Sequence, residues 1–448
     1  METRQLPWWK EPTRAQWSAF LAAWSGWVLD AFDFVIYMLV MHHIAKEFGV
    51  GIIAVSGSIT LTLLVRLVGG FVAGWIADRW GRKLPLMLSL VWFAIFDAAI
   101  YFAPTFTWVI VLRTVFGFGM GAEWTAGTAL AMENWPTRTR KIASGLLQAG
   151  WPIGFMLAAI VAKLVVPVYG WRAMFLIAAI PALLVVPIRF MVPDEVAHAP
   201  KSDTVKPRMG DLLEKGVLRM LILGTIVMAL GFVVYYGLSS QYSFMLMSEH
   251  GFTASAAWDN VIVFQIGMLI GVVAAGWIAN RFGVVTALVA PALLMIPAIP
   301  LYVGVSPALL PVGAFLGGFL GVGYSGVTPV LTTSLFPAHV RARAIGLVYH
   351  AGALIAAFVP TLIGVLAETT RLTVGGAMAI VTGLGLAAMS AAVLVLRRRL
   401  TVSAIDATQI DRAPAVEHAR PAVISPTNDP ELVPVLAKES QAVRAHVA

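Results

Sequence analysis

Between Trp17 and Arg397 the chain alternates long apolar runs with short polar breaks. A hydrocarbon layer of about 30 Å takes about 20 residues of helix. On that measure the pattern predicts twelve spans, near 17–42, 52–77, 84–103, 107–131, 142–168, 171–191, 219–246, 256–279, 284–303, 306–334, 342–367 and 373–397. The stretch from Pro193 to Gly216 is polar, proline-bearing and about midway, so it reads as a linker between two six-helix halves. Beyond Leu400 the chain turns polar and proline-spotted, with no stripe that could bury itself, which predicts a disordered tail. The plan is a lead-in over 1–16, bundles over 17–192 and 219–399, a linker over 193–218 and a tail over 400–448.

The two halves echo each other. GWIADRWG at 74–81 returns as GWIANRFG at 276–283, and both copies join two apolar runs. Pro136 stands nine positions before Gly145, and Pro337 nine before Gly346, each in a basic stretch that opens an apolar one. Two echoes at nearly one offset mark a duplicated membrane protein.

Composition narrows the class. Of 448 residues 59% are hydrophobic and 12% charged, whereas a soluble domain carries about 25% charged residues. There is no cysteine, and the eight histidines are scattered, so neither a metal site nor a cofactor is implied. No nucleophile elbow or phosphate loop appears either, which speaks against an enzyme. The net charge of +8 comes from short clusters between apolar runs, so it reports topology rather than nucleic-acid binding.

Those clusters alternate. Arg79, Arg82 and Lys83, then Arg138, Arg140 and Lys141, then Lys201, Lys206, Arg208 and Lys215, then Arg341 and Arg343, and finally Arg397 to Arg399 all fall on one side. The other side keeps little beyond Lys46, Arg172 and Arg371. By the positive-inside rule the first side is cytoplasmic, with both termini on it. The first run lacks a small-residue cleavage site and carries two aspartates, so it reads as a retained helix.

Ionisable residues inside the spans are candidate chemistry, because each costs about 2.5 to 3.5 kcal/mol near the bilayer centre. Asp30 and Asp33 are three apart on the first span and share a helical face. Arg66 lies about as deep in the second span and can pair with that face or with an anion. The fourth span carries Arg113 in its outer third and Glu123 near its middle, and Asp97 lies in the third. Asp30, Asp33 and Glu123 are the candidate proton carriers. Arg66 and Arg113 are the candidate anion partners, and a permanent structural ion pair is the alternative. The second half offers Tyr235, Tyr236, Gln241, Gln265, Tyr324 and His350, a hydrogen-bonding wall suited to substrate recognition. Interface anchoring and helix-to-helix glue are the plainer readings of the same residues.

GWIADRWGRK, with Gly74, Asp78, Gly81, Arg82 and Lys83, resembles the signature between helices two and three of the major facilitator superfamily. Arg113, Gly117, Gly119 and Gly121 resemble its fourth-helix pattern, and Glu133 with Arg140 matches its E-x6-R element. The resemblance covers residues 15 to 400. It implies an all-α membrane protein of two pseudo-symmetric six-helix bundles around a cavity, working by alternating access, with helices one, four, seven and ten lining it and Glu123 pointing inward. Gly74, Asp78, Arg82, Glu133 and Arg140 are then expected at an inner gate, partly screened, with about 1 kcal/mol per pair. Asn280 replaces the aspartate in the second copy, so the gate should be asymmetric.

Within the superfamily, RAQWSAFLAAWSGWVLDAFDF, Arg66 before Gly69 and Gly70, and ENWPTRTRKIASG are most similar to the sialate and monocarboxylate (lactate) proton symporters. The D-x-x-D pattern of the first span is shared with aromatic-acid symporters. What this implies is a monomeric importer of a small organic anion with protons, in the plasma (inner) membrane, with an aromatic-acid, sugar or drug carrier as the alternative.

The orientation is checked by single cysteines. Those at Ser202 and Thr408 should react only with cytoplasmic reagent and one at Ser306 only from outside; labelling of all three from one side contradicts the topology.

Overall fold

The computed structural model describes residues 7–50, 52–180, 192, 209–304 and 306–410. Among them every regular element is helical. The first half comprises α1 (Arg14–Phe48), α2 (Ile52–Trp80), α3 (Lys83–Tyr101), α4 (Phe106–Glu133), α5 (Arg140–Gln148), α6 (Gly150–Tyr169) and α7 (Arg172–Ala178). A short turn at Met209–Leu213 precedes the second half: α8 (Lys215–Ser239), α9 (Tyr242–His250), α10 (Ala254–Phe282), α11 (Val284–Val303), α12 (Leu310–Leu316), α13 (Thr328–Leu335), α14 (Arg341–Ala356), α15 (Val359–Thr369) and α16 (Val374–Ile410).

Local chemistry sets the boundaries. Thr13 and Gln16 form a reciprocal capping box that starts α1, and Gly49 ends it in the left-handed conformation with φ 63°. The two copies of the repeated octapeptide close alike: Gly81 has φ 98° and Gly283 φ 90°, a backbone state that a side chain would strain. Each glycine therefore turns the chain sharply from one span into the next.

Ten helical stretches among the described residues are long and apolar enough to cross a membrane. Helix α4 is not one of them, because its glycines and threonines together with Arg113 and Glu123 lower its hydropathy, yet it runs 28 residues. It is buried along most of its length and therefore needs no apolar face toward lipid. The expected sixth span, 171–191, begins as α7, and residues 181–191 lie outside the described set, as do linker residues 193–208 and tail residues 411–448. Helix α16 continues to Ile410, past the boundary read at 400. The sequence there is polar but free of proline, and an established helix propagates at little cost.

Glycines let α2 and α4 touch backbone to backbone: a Cβ on Gly69, Gly117 or Gly121 would collide with a carbonyl oxygen of the facing helix. The second half repeats this, with Gly267 and Gly271 of α10 against the Phe315 and Phe319 carbonyls and Gly318 against that of Phe264. The halves themselves meet along α2 with α14 and along α5 with α10. At the second seam Ser144 Oγ donates to the Gly326 carbonyl at 2.7 Å and accepts from the Val330 amide at 3.1 Å.

At the end of the bundle opposite the α1 N-terminus, Glu47 accepts from Trp171 Nε1 at 2.6 Å and is bridged by Arg172. Burial alone would raise its carboxyl, but those two partners outweigh it and hold it below the ordinary glutamate value.

A Cβ on Gly145 would stand 2.5 Å from the Val272 carbonyl oxygen across the seam. Gly145→Val should therefore cost about 1 to 3 kcal/mol of the arrangement seen here. The check is the melting temperature of the purified protein together with labelling of a cysteine introduced at the seam, since the chain has none of its own. An unchanged melting temperature and unchanged labelling would show that the seam is not close-packed.

Candidate functional site

Between the halves lies a narrow cavity, with about 60 Å³ open to the centre of a water-sized sphere. From the first half Trp27, Phe34, Arg66, Gln148 and Trp151 form its wall, and from the second Phe232, Tyr235, Tyr236, Tyr324, Ser325, Thr328 and Tyr349. Breaks in regular helix place several of these. The fifth span is interrupted at Ala149, between Gln148 and Trp151. The tenth span passes through a π-helical turn at Gly317–Val322 and a tight turn at Gly323–Val327, which carries Tyr324 and Ser325 into the cavity.

Aromatic rings close on one another across the seam. Trp27 stands 4.5 Å from Trp124 and 4.9 Å from Trp151, Tyr349 stacks on Trp124 at 4.3 Å, and Trp151 Nε1 donates to the Tyr235 hydroxyl at 3.1 Å. Among the described residues Arg66 is the charged side chain in this wall. Its Nη2 donates to Asp30 Oδ2 at 3.0 Å, and its guanidinium lies 5.7 Å from the Tyr349 ring centre. Four polar wall atoms have no hydrogen-bond partner: Trp27 Nε1, Arg66 Nε, Gln148 Oε1 and Ser325 Oγ. A wall of rings with a few unsatisfied polar atoms is the form of a site for an apolar body carrying polar groups.

Behind the wall the first half holds further charge. Asp33 and Glu123 are buried, and neither carboxylate has a hydrogen-bond partner. A Cβ on Gly26 would stand 2.5 Å from Glu123 Oε1, so α1 presses against that carboxyl group. Arg113 does not reach the cavity. Its Nη1 lies 3.6 Å from Asp97 Oδ1, and Tyr37 and Phe116 cover the guanidinium at 4.7 and 4.3 Å.

The structure thus assembles Arg66, Tyr235, Tyr236 and Tyr324 at one cavity and withholds four other residues assigned to substrate from sequence. Arg113 is the first. Gln241 precedes α9 at the end of the seventh span, half-buried, and Gln265 is buried on α10, away from the wall. His350 turns toward the other half, with Nε2 3.0 Å from the Gly121 carbonyl and its ring against Gly70. A helical face is shared by too many positions for depth alone to say which one meets the cavity. Of the carboxyl groups, Asp30 reaches it only through Arg66. Trp27, Trp151 and Gln148 escaped the sequence reading, although tryptophans in mid-span rather than at the interface were a signal.

The second assembly lies at the end of the bundle that carries the octapeptide repeat. Asp78 accepts from the Ala342 and Arg343 amides at 3.2 and 3.3 Å and from Arg343 Nε at 3.0 Å. These amides open α14, so a carboxylate caps the positive end of a helix from the other half. Arg82 links Asp78 at 3.2 Å to Glu133 at 2.8 Å, and Arg341 reaches Glu133 at 3.4 Å. Burial disfavours the charge on Arg82, but Glu133 and Asp78 outweigh it and raise its pKa. Arg140 serves differently, donating to the Trp135 carbonyl at 2.9 Å and the Glu133 carbonyl at 3.4 Å. Gly74 admits the second half: a Cβ there would stand 2.5 Å from Arg343 Cα.

This network departs from the screened one expected from sequence. Asp78 and Arg343 side chains are each 0% exposed. Removing one partner of such a pair leaves a buried charge, at about 3 to 5 kcal/mol rather than about 1. The partner from the second half is Arg343, which the sequence reading used only for topology.

Asp78→Asn should therefore raise the reactivity of a cysteine introduced at this end of the seam and slow any conformational cycle about tenfold or more, with ligand affinity in the cavity little changed. A large affinity loss with unchanged cycling would contradict the separation of the two assemblies.

Comparison with known proteins gives a consistent result. The family model described as Major Facilitator Superfamily matches residues 23–301. A probable 4-methylmuconolactone transporter of Cupriavidus pinatubonensis is 28% identical over 390 residues, covering 83% of this chain and 88% of that one. A cis,cis-muconate transport protein of Acinetobacter baylyi is 30% identical over 387 residues, covering 84% and 91%. The sialic acid transporter NanX of Escherichia coli is 26% identical over 355 residues, covering 77% and 86%. Among solved structures, the proton:xylose symporter XylE superposes with a TM-score of 0.70 at 16% identity, over 86% of this chain and 96% of that one, a likeness of fold.

Proposed function

The chain belongs to the major facilitator superfamily, and from that premise we propose that it imports a small organic anion together with protons by alternating access. It is a multi-pass membrane transporter and not an enzyme. The observation that carries the reading is the Arg66–Asp30 pair at the cavity wall, 3.0 Å apart, with Arg66 Nε left unpartnered.

An entering carboxylate competes with Asp30 for the guanidinium, which holds both oxygens of one carboxylate at once. Once Arg66 turns to the substrate, Asp30 is a buried carboxylate without its cation, so it takes a proton. Substrate anion and proton thus load together and cancel each other's charge in a low dielectric. Release of the anion on the far side returns Arg66 to Asp30, which gives the proton up. Glu123 and Asp33 are the other acids within electrostatic reach of Asp30.

The relatives and the wall together shift the substrate from lactate or a sialate toward a planar, unsaturated acid. Two relatives are named for muconate and a methylmuconolactone, and Trp27, Trp151 and Tyr349 offer ring faces to a conjugated body. Tyr236 and Ser325 bring hydroxyl groups to the wall that can bond a neutral polar end, while the Tyr235 and Tyr324 hydroxyls are engaged by Trp151 and by the Gly231 carbonyl. The charged network of Asp78, Arg82, Glu133, Arg341 and Arg343 is the inner gate, closed here, and bundles 17–192 and 219–399 rock about the cavity. Both termini are cytoplasmic, and the protein acts in the inner membrane as a monomer.

The test uses the full-length protein in liposomes with cis,cis-muconate, 4-methylmuconolactone, benzoate and benzamide. Uptake of an acid but not of the amide is expected, stimulated by an acidic exterior because the proton enters from that side. Arg66→Lys should lower kcat/KM about a hundredfold, the equivalent of about 2.7 kcal/mol. Carriage of benzamide as readily as the acids, or normal uptake by Arg66→Lys, overturns the anion reading.

A further inference from the structure

The two copies of the octapeptide place tryptophans at matching positions but give them different partners. In the first copy Trp75 stands 5.1 Å from Trp80, and the Arg79 guanidinium lies 5.6 Å from its ring centre. In the second copy Phe282 takes the place of Trp80 and Arg281 turns to that ring at 5.5 Å, so Trp277 is left 45% exposed. Among the described residues its ring partner is Trp8, which meets it at 5.8 Å and 89°.

Trp8 belongs to the lead-in before α1, and that lead-in is fastened to the first half. The Lys10 amide donates to the Pro7 carbonyl at 2.9 Å, which turns the chain under Trp8. Trp17 Nε1 donates to the Trp9 carbonyl at 3.2 Å, and Glu11 pairs with Arg138 at 2.9 Å. The Trp17 ring stands 6.4 Å from Trp8 and 4.9 Å from Trp135, in the turn between α4 and α5. Trp8 therefore reaches from a first-half anchor to a second-half helix. Gly276, beside Trp277, marks how close the halves come there: a Cβ on it would stand 2.8 Å from the Lys141 carbonyl oxygen of α5. The Asp78–Arg343 contact lies on the other seam, between α2 and α14.

We propose that residues 7–13 are a strap, in which Trp8 on Trp277 ties the first half to the second and must let go before the halves part at the octapeptide end. Two rings set edge to face attract beyond the area they cover. Trp8 is half-buried and Trp277 lies at the surface, so the tie is releasable and biases the closed arrangement without fixing it. The strap rests on alternating access for its part in the cycle and on nothing about the substrate or the proton. Separate anchoring of each tryptophan in the headgroup layer is the competing role for such rings.

The test is labelling of one introduced cysteine in the purified full-length protein. Ala129 is buried with Ala77 and Ala342 at the α2–α14 seam, so Ala129→Cys reports parting of the halves rather than loss of cover near Trp8. In that background Trp8→Ala and Trp277→Ala should each speed maleimide labelling about fivefold to tenfold. The double variant should label no faster than either single one, because both remove the same contact. Trp8→Phe keeps a ring and should label more slowly than Trp8→Ala, while Trp108→Ala, at the opposite end of α4, should leave the rate unchanged. Melting temperatures near that of the parent show that the labelled species is folded.

Unchanged labelling in Trp8→Ala and Trp277→Ala overturns the strap. So do effects that multiply in the double variant, which belong to two separate anchors, and an equal rise in Trp108→Ala, which belongs to general loosening.

Discussion

Ionised groups inside a membrane protein need partners, and here there are too few cations for the acids. Arg66 and Arg113 serve four buried carboxyl groups among the described residues, so each guanidinium is a contested resource. The contest at Arg66 lies at the cavity wall, where an incoming anion changes the outcome. The contest at Arg113 lies behind Tyr37 and Phe116, where no organic ligand reaches. A site with one cation and two anionic claimants changes its charge balance whenever a claimant is exchanged.

At the octapeptide end the halves are joined by Asp78 of the first half, which lies on the opening amides of α14 and against Arg343. Burial makes the contact strong. The turn at Met209–Leu213 adds Asp211, 3.8 Å from Arg343, so the segment entering the second half touches the same arginine. Close approach is what permits this geometry. With side chains at Gly74 and Gly145 the helices would stand farther apart and the charges would not meet.

The aromatic wall links the two requirements. Trp27, Trp124 and Trp151 from the first half pack with Tyr349 and Tyr235 from the second, so rings of the cavity wall also form part of the contact between the halves. A ligand that bridges them favours the closed arrangement through its own contacts, which is how binding energy biases a conformational equilibrium.

Much of the fold was legible in the chain because its causes are local. Twenty-residue apolar runs, glycines that must turn with positive φ at 81 and 283, and basic clusters in alternate loops are properties of short segments facing a slab of hydrocarbon. Asp30 and Arg66 were legible as partners because their depths match on adjacent antiparallel helices. The substrate wall was not. Whether Arg113, Gln265 or His350 meets the cavity depends on the rotation of each helix about its axis, and that rotation is set by glycine-to-carbonyl contacts with helices far away in sequence. Arg343 looked like one more loop charge until packing laid α14 against α2. Depth along a helix is written in the sequence, whereas azimuth around it is decided only when the helices pack.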